Sequence, residues 1–113
     1  MTSSTFLNGV PELLILRLLQ NQEMYGYEIV QAIRRQTDGV VSVGEGVVYP
    51  ILHGLERNGA LAAKRISVNG RSRIYYSLSE CGASRLGELT NLWSQLTTAV
   101  QQVLAVPSHA ARA

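Results

Sequence analysis

Five cations, Arg57, Lys64, Arg65, Arg71 and Arg73, fall between residues 57 and 78 with no acid among them. A local cluster of guanidinium and ammonium groups does one kind of chemistry well: it neutralises phosphates and releases the counterions held there. Just upstream, Gly46, Tyr49, Pro50, His53 and Arg57 recur at three- and four-residue spacing. On a helix that spacing makes one stripe, away from the apolar stripe of Val48, Leu52 and Leu55. A helix followed by a cationic two-stranded wing fits a DNA major groove and its flanking phosphates. The candidate DNA contacts are therefore Gly46, Tyr49, Pro50 and His53, with Arg57, Lys64, Arg71 and Arg73. Tyr49 reads equally as a groove contact and as a brace at the helix start; for the wing cations an ordinary solvated strand face is the weaker alternative.

Other chemistry is poorly represented. No Ser/His/Asp arrangement, paired carboxylates or phosphate-cradling glycine loop stands out, so no enzyme and no catalytic residue are expected, and no cofactor. Cys81, His53 and His109 lack the spacing of metal ligands, and Cys81 reads as a buried structural thiol. A single cysteine excludes an intrachain disulfide and suits a reducing compartment. Neither a signal peptide nor a membrane span is read, so the expected location is cytoplasmic. The net charge of +2 over 113 residues is modest; the arrangement of the charge carries the argument.

The elements that must position these residues are legible in outline. The chain reads as a single domain, residues 1–113. It divides into a DNA-binding region over 9–78, a helix over 79–105, and flexible ends at 1–8 and 106–113. Pro11 and Glu12 suit the first turn of a first helix, followed by Leu13, Leu14, Ile15, Leu16, Leu18 and Leu19 around most of its circumference. A second helix opens near Tyr25-Gly26 and stops at Gly39. Val40–Val43 has the composition of a short edge strand. Ser42 and Glu45 have the spacing of a capping box for the third helix, which ends at Asn58-Gly59. Pro50 places that helix's start at about Gly46 to Tyr49, so that the proline lies in the first turn.

Asn69-Gly70 between two β-type runs predicts a type I′ hairpin over Leu61–Leu78. The turn pairs Val68 with Arg71, Ile66 with Arg73 and Lys64 with Tyr75. One face then carries Lys64, Ile66, Val68, Arg71, Arg73 and Tyr75. The other carries Ala63, Arg65, Ile74, Tyr76 and Leu78, and suits packing on the helices. Ser79 suits the N-cap of a last helix. Along it Leu86, Leu89, Trp93, Leu96, Val100 and Val103 recur at alternating three and four, an a/d seam over about three heptads that predicts a dimer interface.

In this order the pieces resemble the PadR family of bacterial transcriptional regulators. The resemblance is carried by Glu12-Leu13-Leu14-Ile15-Leu16, Tyr25-Gly26-Tyr27-Glu28-Ile29, Glu45 to Leu52 with Leu55 to Gly59, and Gly70 to Leu78, then Gly82. It covers about residues 9 to 83 and departs from the usual pattern at His53-Gly54, where a basic residue often precedes the leucine. With a single C-terminal helix the chain looks like the short subfamily. The resemblance implies an α+β, mostly helical fold: a winged helix-turn-helix with a C-terminal dimerisation helix. It implies a homodimeric repressor on a palindromic operator. In such proteins an interface aromatic can line an effector cavity, which points to Trp93 with Leu89, Leu96 and Leu16 and to a planar hydrophobic ligand. The competing reading is a dimeric small-molecule-binding or protein-interaction module that kept the fold without DNA binding. The modest net charge and the uncharged stripe at Gly46, Tyr49, Pro50 and His53 keep that second reading open beside the DNA-binding one.

Overall fold

The chain runs α1 (Thr2–Asn21), β1 (Met24–Tyr25), α2 (Gly26–Gln36), α3 (Glu45–Arg57), β2 (Leu61–Val68), β3 (Arg71–Leu78), α4 (Glu80–Leu104). The computed structural model describes residues 2–108, and side chains from residue 9 onward. Residues 109–113 of the expected C-terminal end, His109 among them, lie outside the described residues.

Four helices contribute to one core. Ile15, Leu16 and Leu19 of α1 meet Ile29 and Ile33 of α2, Val48 and Leu52 of α3, Tyr76 of β3 and Leu86 of α4, all buried. The all-round apolar pattern of α1 is explained by its position, since it touches α2, β3 and α4. Its start differs from expectation. The helix begins at Thr2, so residues 2–8 extend it, and Pro11 lies inside rather than in the first turn. Once a helix is nucleated, each further residue adds a hydrogen bond at little cost, and Pro11 removes only one of them. Glu12 consequently serves no helix terminus. Its carboxylate instead accepts a 2.9 Å bond from Arg85 Nε on α4.

The helix ends follow from local backbone chemistry. At the end of α2 the Gly39 N–H donates to the Arg34 carbonyl at 2.8 Å and Asp38 N–H to Arg35 at 3.2 Å. This is a Schellman closure in which Asp38, at φ +52°, takes the first left-handed position and Gly39 the second. The Thr37 hydroxyl accepts the Val41 N–H at 3.0 Å, so Val40–Val43 folds as a loop and not as a strand. Gly44, not Ser42, precedes α3, and no side chain caps that terminus. Pro50 is thereby the sixth residue of the helix, past its first turn. At the far end Gly59, at φ +82°, closes α3 where the sequence placed the stop.

The hairpin register is the one the turn dictates: Val68 opposite Arg71, Ile66 opposite Arg73, Lys64 opposite Tyr75. Asn69 and Gly70 both have positive φ, as type I′ requires. The third strand of the sheet is β1, whose Met24 and Tyr25 pair with Tyr76 and Tyr75. Only the root of the hairpin packs on the helices. Leu61 and Tyr76 are buried, whereas Ala63 and Ile74, expected against the helices, are exposed. Strands of eight residues outrun the helical layer beneath them, and the outer half projects as a wing.

Candidate nucleic-acid interface

The exposed side of α3 is built by subtraction. Val48, Leu52 and Leu55 turn into the core, which leaves Gly46, Pro50, His53 and Arg57 on the opposite, solvent side. Pro50 has no N–H to offer the Gly46 carbonyl, so this exposed stripe carries an acceptor outside the helical ladder. Tyr49 sits between the two sides, half-buried. Its ring lies on Gly26, where any Cβ would overlap the ring and hydroxyl. That contact explains the glycine in Tyr25-Gly26-Tyr27: α3 crosses α2 too closely there for a side chain. Burial pushes the Tyr49 hydroxyl's pKa up, with the Glu45 and Tyr25 charges adding to the shift. The His53 ring stands 6.0 Å from that of Tyr49, tilted by 40°.

The wing cations are less uniform than their sequence suggests. Lys64 Nζ lies 3.6 Å from Glu23 Oε1. Arg65 Nη1 donates to Ser72 Oγ at 2.9 Å, across the hairpin and on the same face. Arg73 is half-buried, with its guanidinium carbon 4.4 Å above the centroid of Tyr25. Arg71 and Arg57 are exposed and have no polar partner among the described residues. Two of these partners, Glu23 and Tyr25, come from the α1–α2 connection, which shows no charge or apolar pattern that sequence reasoning could use. Arg85 is a further cation the sequence reading passed over. With Glu12 it flanks an open groove of about 540 Å³ along α3 at Gly46, Pro50 and Ile51. Hydrogen bonding to Glu12 raises its already high pKa, so it stays a cation.

Three hydrogen-bonding atoms fix the wing relative to α4. Ser79 Oγ lies 2.6 and 2.8 Å from the carbonyls of Gly59 and Ala60, and accepts the Gly82 N–H at 3.1 Å. Ser79 thereby caps α4 and ties it to the end of α3. A Cβ at Gly82 would collide with the Ala60 carbonyl and Leu78.

Beyond its first turns α4 leaves the core. Leu86 is 5 % exposed and belongs to the chain's own core, which leaves little of it to offer a partner surface. Leu89 is half-buried. Trp93, Leu96, Val100 and Val103 then open progressively, at 39, 43, 47 and 72 % exposed. Between α1 and α4 lies a cavity of about 150 Å³ lined by Gly9, Val10, Leu13, Leu89, Leu92, Trp93 and Leu96. Leu16, expected in such a cavity, is fully buried in the core; Leu13, one turn earlier on the outer side, lines it instead. Cys81 is exposed rather than buried, because the second residue of α4 faces away from the core that Gly82 and Leu86 enter. Among the described residues no group of His, Cys, Asp or Glu could hold a metal, and no helix is long and apolar enough to cross a membrane.

Comparison with known proteins agrees with this architecture. Residues 15–88 match the transcriptional regulator PadR-like family. The chain is similar to the transcriptional regulator Rv3488 of Mycobacterium tuberculosis, with 30% identity over 106 residues that cover 94% of each chain. It is also similar to the transcriptional regulator YqjI of Escherichia coli K12, with 35% identity over 83 residues, 74% of this chain and 39% of that one. Among solved structures, a PadR-like transcription factor from Bacteroides fragilis superposes with a TM-score of 0.75 at 30% identity, covering 90% of this chain and 97% of that one. A PadR-like transcriptional regulator from Bacillus cereus gives 0.78 at 27% identity, covering 91% and 99%. Family members are transcriptional regulators, not enzymes. With the helix pair, the three-stranded wing and the long last helix in the same order, this chain belongs to the PadR-like family of transcriptional regulators.

Proposed function

We propose that the protein binds DNA as a homodimeric repressor, with α3 in the major groove and the wing on the adjacent backbone, and that an effector at the dimer interface releases it. The observation that carries the DNA reading is the α3 stripe of Gly46, Pro50, His53 and Arg57, exposed on one side, with the exposed Arg71 on the wing beyond it. Tyr49 contributes at the edge of the stripe, its ring braced by Gly26. Lys64 and Arg65 add positive potential although each has a partner within the chain.

The reading of a dimer is supported by shape. A compact chain of this length has a radius of gyration of about 13 Å. Here it is 17.2 Å, because the 25-residue α4 extends past the core. Leu89, Trp93, Leu96, Val100 and Val103 then form an apolar stripe on this helix, and among the described residues none covers its outer turns at Val100 and Val103. A second copy covers it symmetrically. Two-fold pairing sets two α3 helices about one DNA turn apart and calls for a palindromic operator.

A titration of the DNA upstream of the protein's own gene, at several salt concentrations, tests this reading. Arg57 and Arg71 from two protomers give four unengaged cations. The log–log salt slope should then be about −3.6, so that affinity falls roughly a hundredfold between 50 and 200 mM salt. Absence of any salt-dependent binding favours the module without DNA binding, which the uncharged positions Gly46, Pro50 and His53 of α3 and the engaged wing cations would also suit. Leu96→Glu should yield monomers or unfolded chain, and a monodisperse monomer of the unmodified protein at micromolar concentration would rule out the dimer.

A further inference from the structure

The wing's outer half has no helix beneath it, so its angle must be set by whatever touches its root. Three contacts converge there from one short connection. Tyr25 pairs with Tyr75 in the sheet and meets its ring edge-on, at 5.4 Å and 68°. Arg73 places its guanidinium over the same Tyr25 ring, with its central carbon 4.4 Å from the centroid. Glu23 holds Lys64 at 3.6 Å. Lys64, Arg73 and Tyr75 share one face of the hairpin by register. Tyr25 is also the residue that precedes α2, and its N–H donates to Glu28 Oε1 at 3.1 Å. Gly26, the next residue, carries the Tyr49 ring of α3. A continuous run of contacts thus links α3 to the wing: His53, Tyr49, Gly26, Tyr25, then Tyr75 with Arg73.

From this arrangement we infer that Arg73 is a positioning residue, which sets the wing's angle to α3 by clasping Tyr25, while Arg71 delivers the wing's charge to DNA phosphate. The two arginines sit two positions apart on the same strand and face, yet only Arg71 is exposed. An aromatic face attracts a planar guanidinium by stacking as well as by charge. A lysine at position 73 keeps the charge and loses the flat contact. The two roles therefore separate: a phosphate contact tolerates lysine, and a clasp does not. This inference rests on the DNA-binding reading, so its test has one arm with DNA and one without.

In the first arm, DNA affinity is measured by fluorescence anisotropy for the unmodified full-length protein, Arg71→Ala, Arg73→Ala, Arg73→Lys, Tyr25→Leu, Tyr25→Phe and the pair Tyr25→Leu with Arg73→Ala. The expected result is that Arg73→Ala, Arg73→Lys and Tyr25→Leu lose a similar factor, about three- to tenfold. The double variant should be no weaker than either single, and Tyr25→Phe, which keeps the ring, should stay close to the unmodified protein. Arg71→Ala should make the salt slope shallower by about 1.8, one contact from each of two protomers. In the second arm, amide hydrogen exchange of β1 and β3 without DNA should quicken in Tyr25→Leu and Arg73→Ala by a similar, non-additive factor. Undiminished affinity in Arg73→Lys, or additive losses in the double variant, would overturn the clasp and return Arg73 to the phosphate contacts. If the unmodified protein binds no DNA, the functional reading falls alone and the exchange arm decides the clasp: unchanged exchange overturns it, and quickened, non-additive exchange upholds it.

Discussion

The ring of Tyr49 rests on the backbone of Gly26, where the second turn of α3 crosses the start of α2. The angle of this crossing fixes how α3 is presented. Gly26→Ala places a methyl group inside the Tyr49 ring and should destabilise the fold by about 1–3 kcal/mol, the usual cost of overpacking. The cost should shrink once Tyr49 is alanine, because the obstructed ring is gone. Urea unfolding of the two single variants and the double variant measures this coupling. An equal cost of Gly26→Ala in both backgrounds would mean that the ring is not what excludes a side chain at position 26.

On the wing, Arg71→Ala should weaken operator and random DNA by the same factor, since a cation on phosphate fixes register without reading sequence. His53→Ala should behave oppositely. It removes a ring from the exposed α3 stripe and should weaken the operator more than random DNA, by roughly 1–3 kcal/mol. Parallel titrations on the two DNAs separate these cases. Equal losses for His53→Ala on both DNAs would remove this residue from sequence readout.

The hairpin was legible in the sequence to the residue because its register depends on two adjacent positions. Asn69 and Gly70 both accept positive φ, and once they form the turn every cross-strand pair follows. The core stripe of α3 was legible for a similar reason: Val48, Leu52 and Leu55 repeat at helical spacing and all are buried. What failed depended on contacts between distant segments. Met24–Tyr25 is too short to show any periodicity, and it becomes a strand only because β3 offers an open edge. Lys64, Arg65 and Arg73 looked alike as a run of bases, yet Glu23, Ser72 and Tyr25 engage them separately. Leu86 continued the heptad pattern of α4, but that helix is a core helix at its start and a surface helix only further on. Ser42 matched a capping pattern in spacing alone, while Thr37 already held the loop that contains it.

Ser79 has three duties, and its removal should be costly for a half-exposed serine. It caps α4 through the Gly82 N–H and reaches the Gly59 and Ala60 carbonyls that end α3. Ser79→Ala should cost about 1–2 kcal/mol, at the upper end because a second hydrogen bond is lost with the cap. Ser79→Thr keeps the hydroxyl and should recover most of it. Thermal unfolding of the two variants, followed by circular dichroism, checks this. A loss below a few tenths would show that water replaces the serine.

Alkaline pH should destabilise the fold through its tyrosines. Tyr76 is almost fully buried, and burial raises its pKa, with the Glu56 and Tyr49 charges in support; Tyr49 is raised in the same way. As pH passes about 10, the unfolded chain releases these protons while the folded chain still holds them. The unfolded state therefore binds fewer protons, and stability falls as pH rises through that window. The unfolding midpoint should decline above about pH 10, and Tyr76→Phe with Tyr49→Phe should flatten the decline. An identical pH profile in the double phenylalanine variant would place the alkaline loss on other groups.

The cavity beside Trp93 should become a ligand site only in the dimer. In one protomer it holds about 150 Å³, with Val10 and Leu13 of α1 opposite Leu89 and Leu96 of α4. Ligand clefts are usually about 300–1,000 Å³, so one such cavity is too small for a flat polycyclic compound. Two cavities brought together on the two-fold axis would reach the lower end of that range, with two indole rings available for stacking. A ligand bound there would alter the angle between the two α4 helices and hence the spacing of the two α3 helices. It would release DNA only by binding the DNA-free spacing more tightly than the DNA-bound one. Trp93 is the only tryptophan, so its fluorescence reports the site directly. A planar hydrophobic dye should quench it and loosen operator binding over one concentration range, and Val100→Glu, on the same stripe but outside the cavity lining, should abolish the quenching by separating the protomers. Quenching without loss of DNA affinity would show a pocket that is not a switch. Quenching that persists in a monomeric Val100→Glu variant would show that one protomer suffices, and that two half-cavities need not meet.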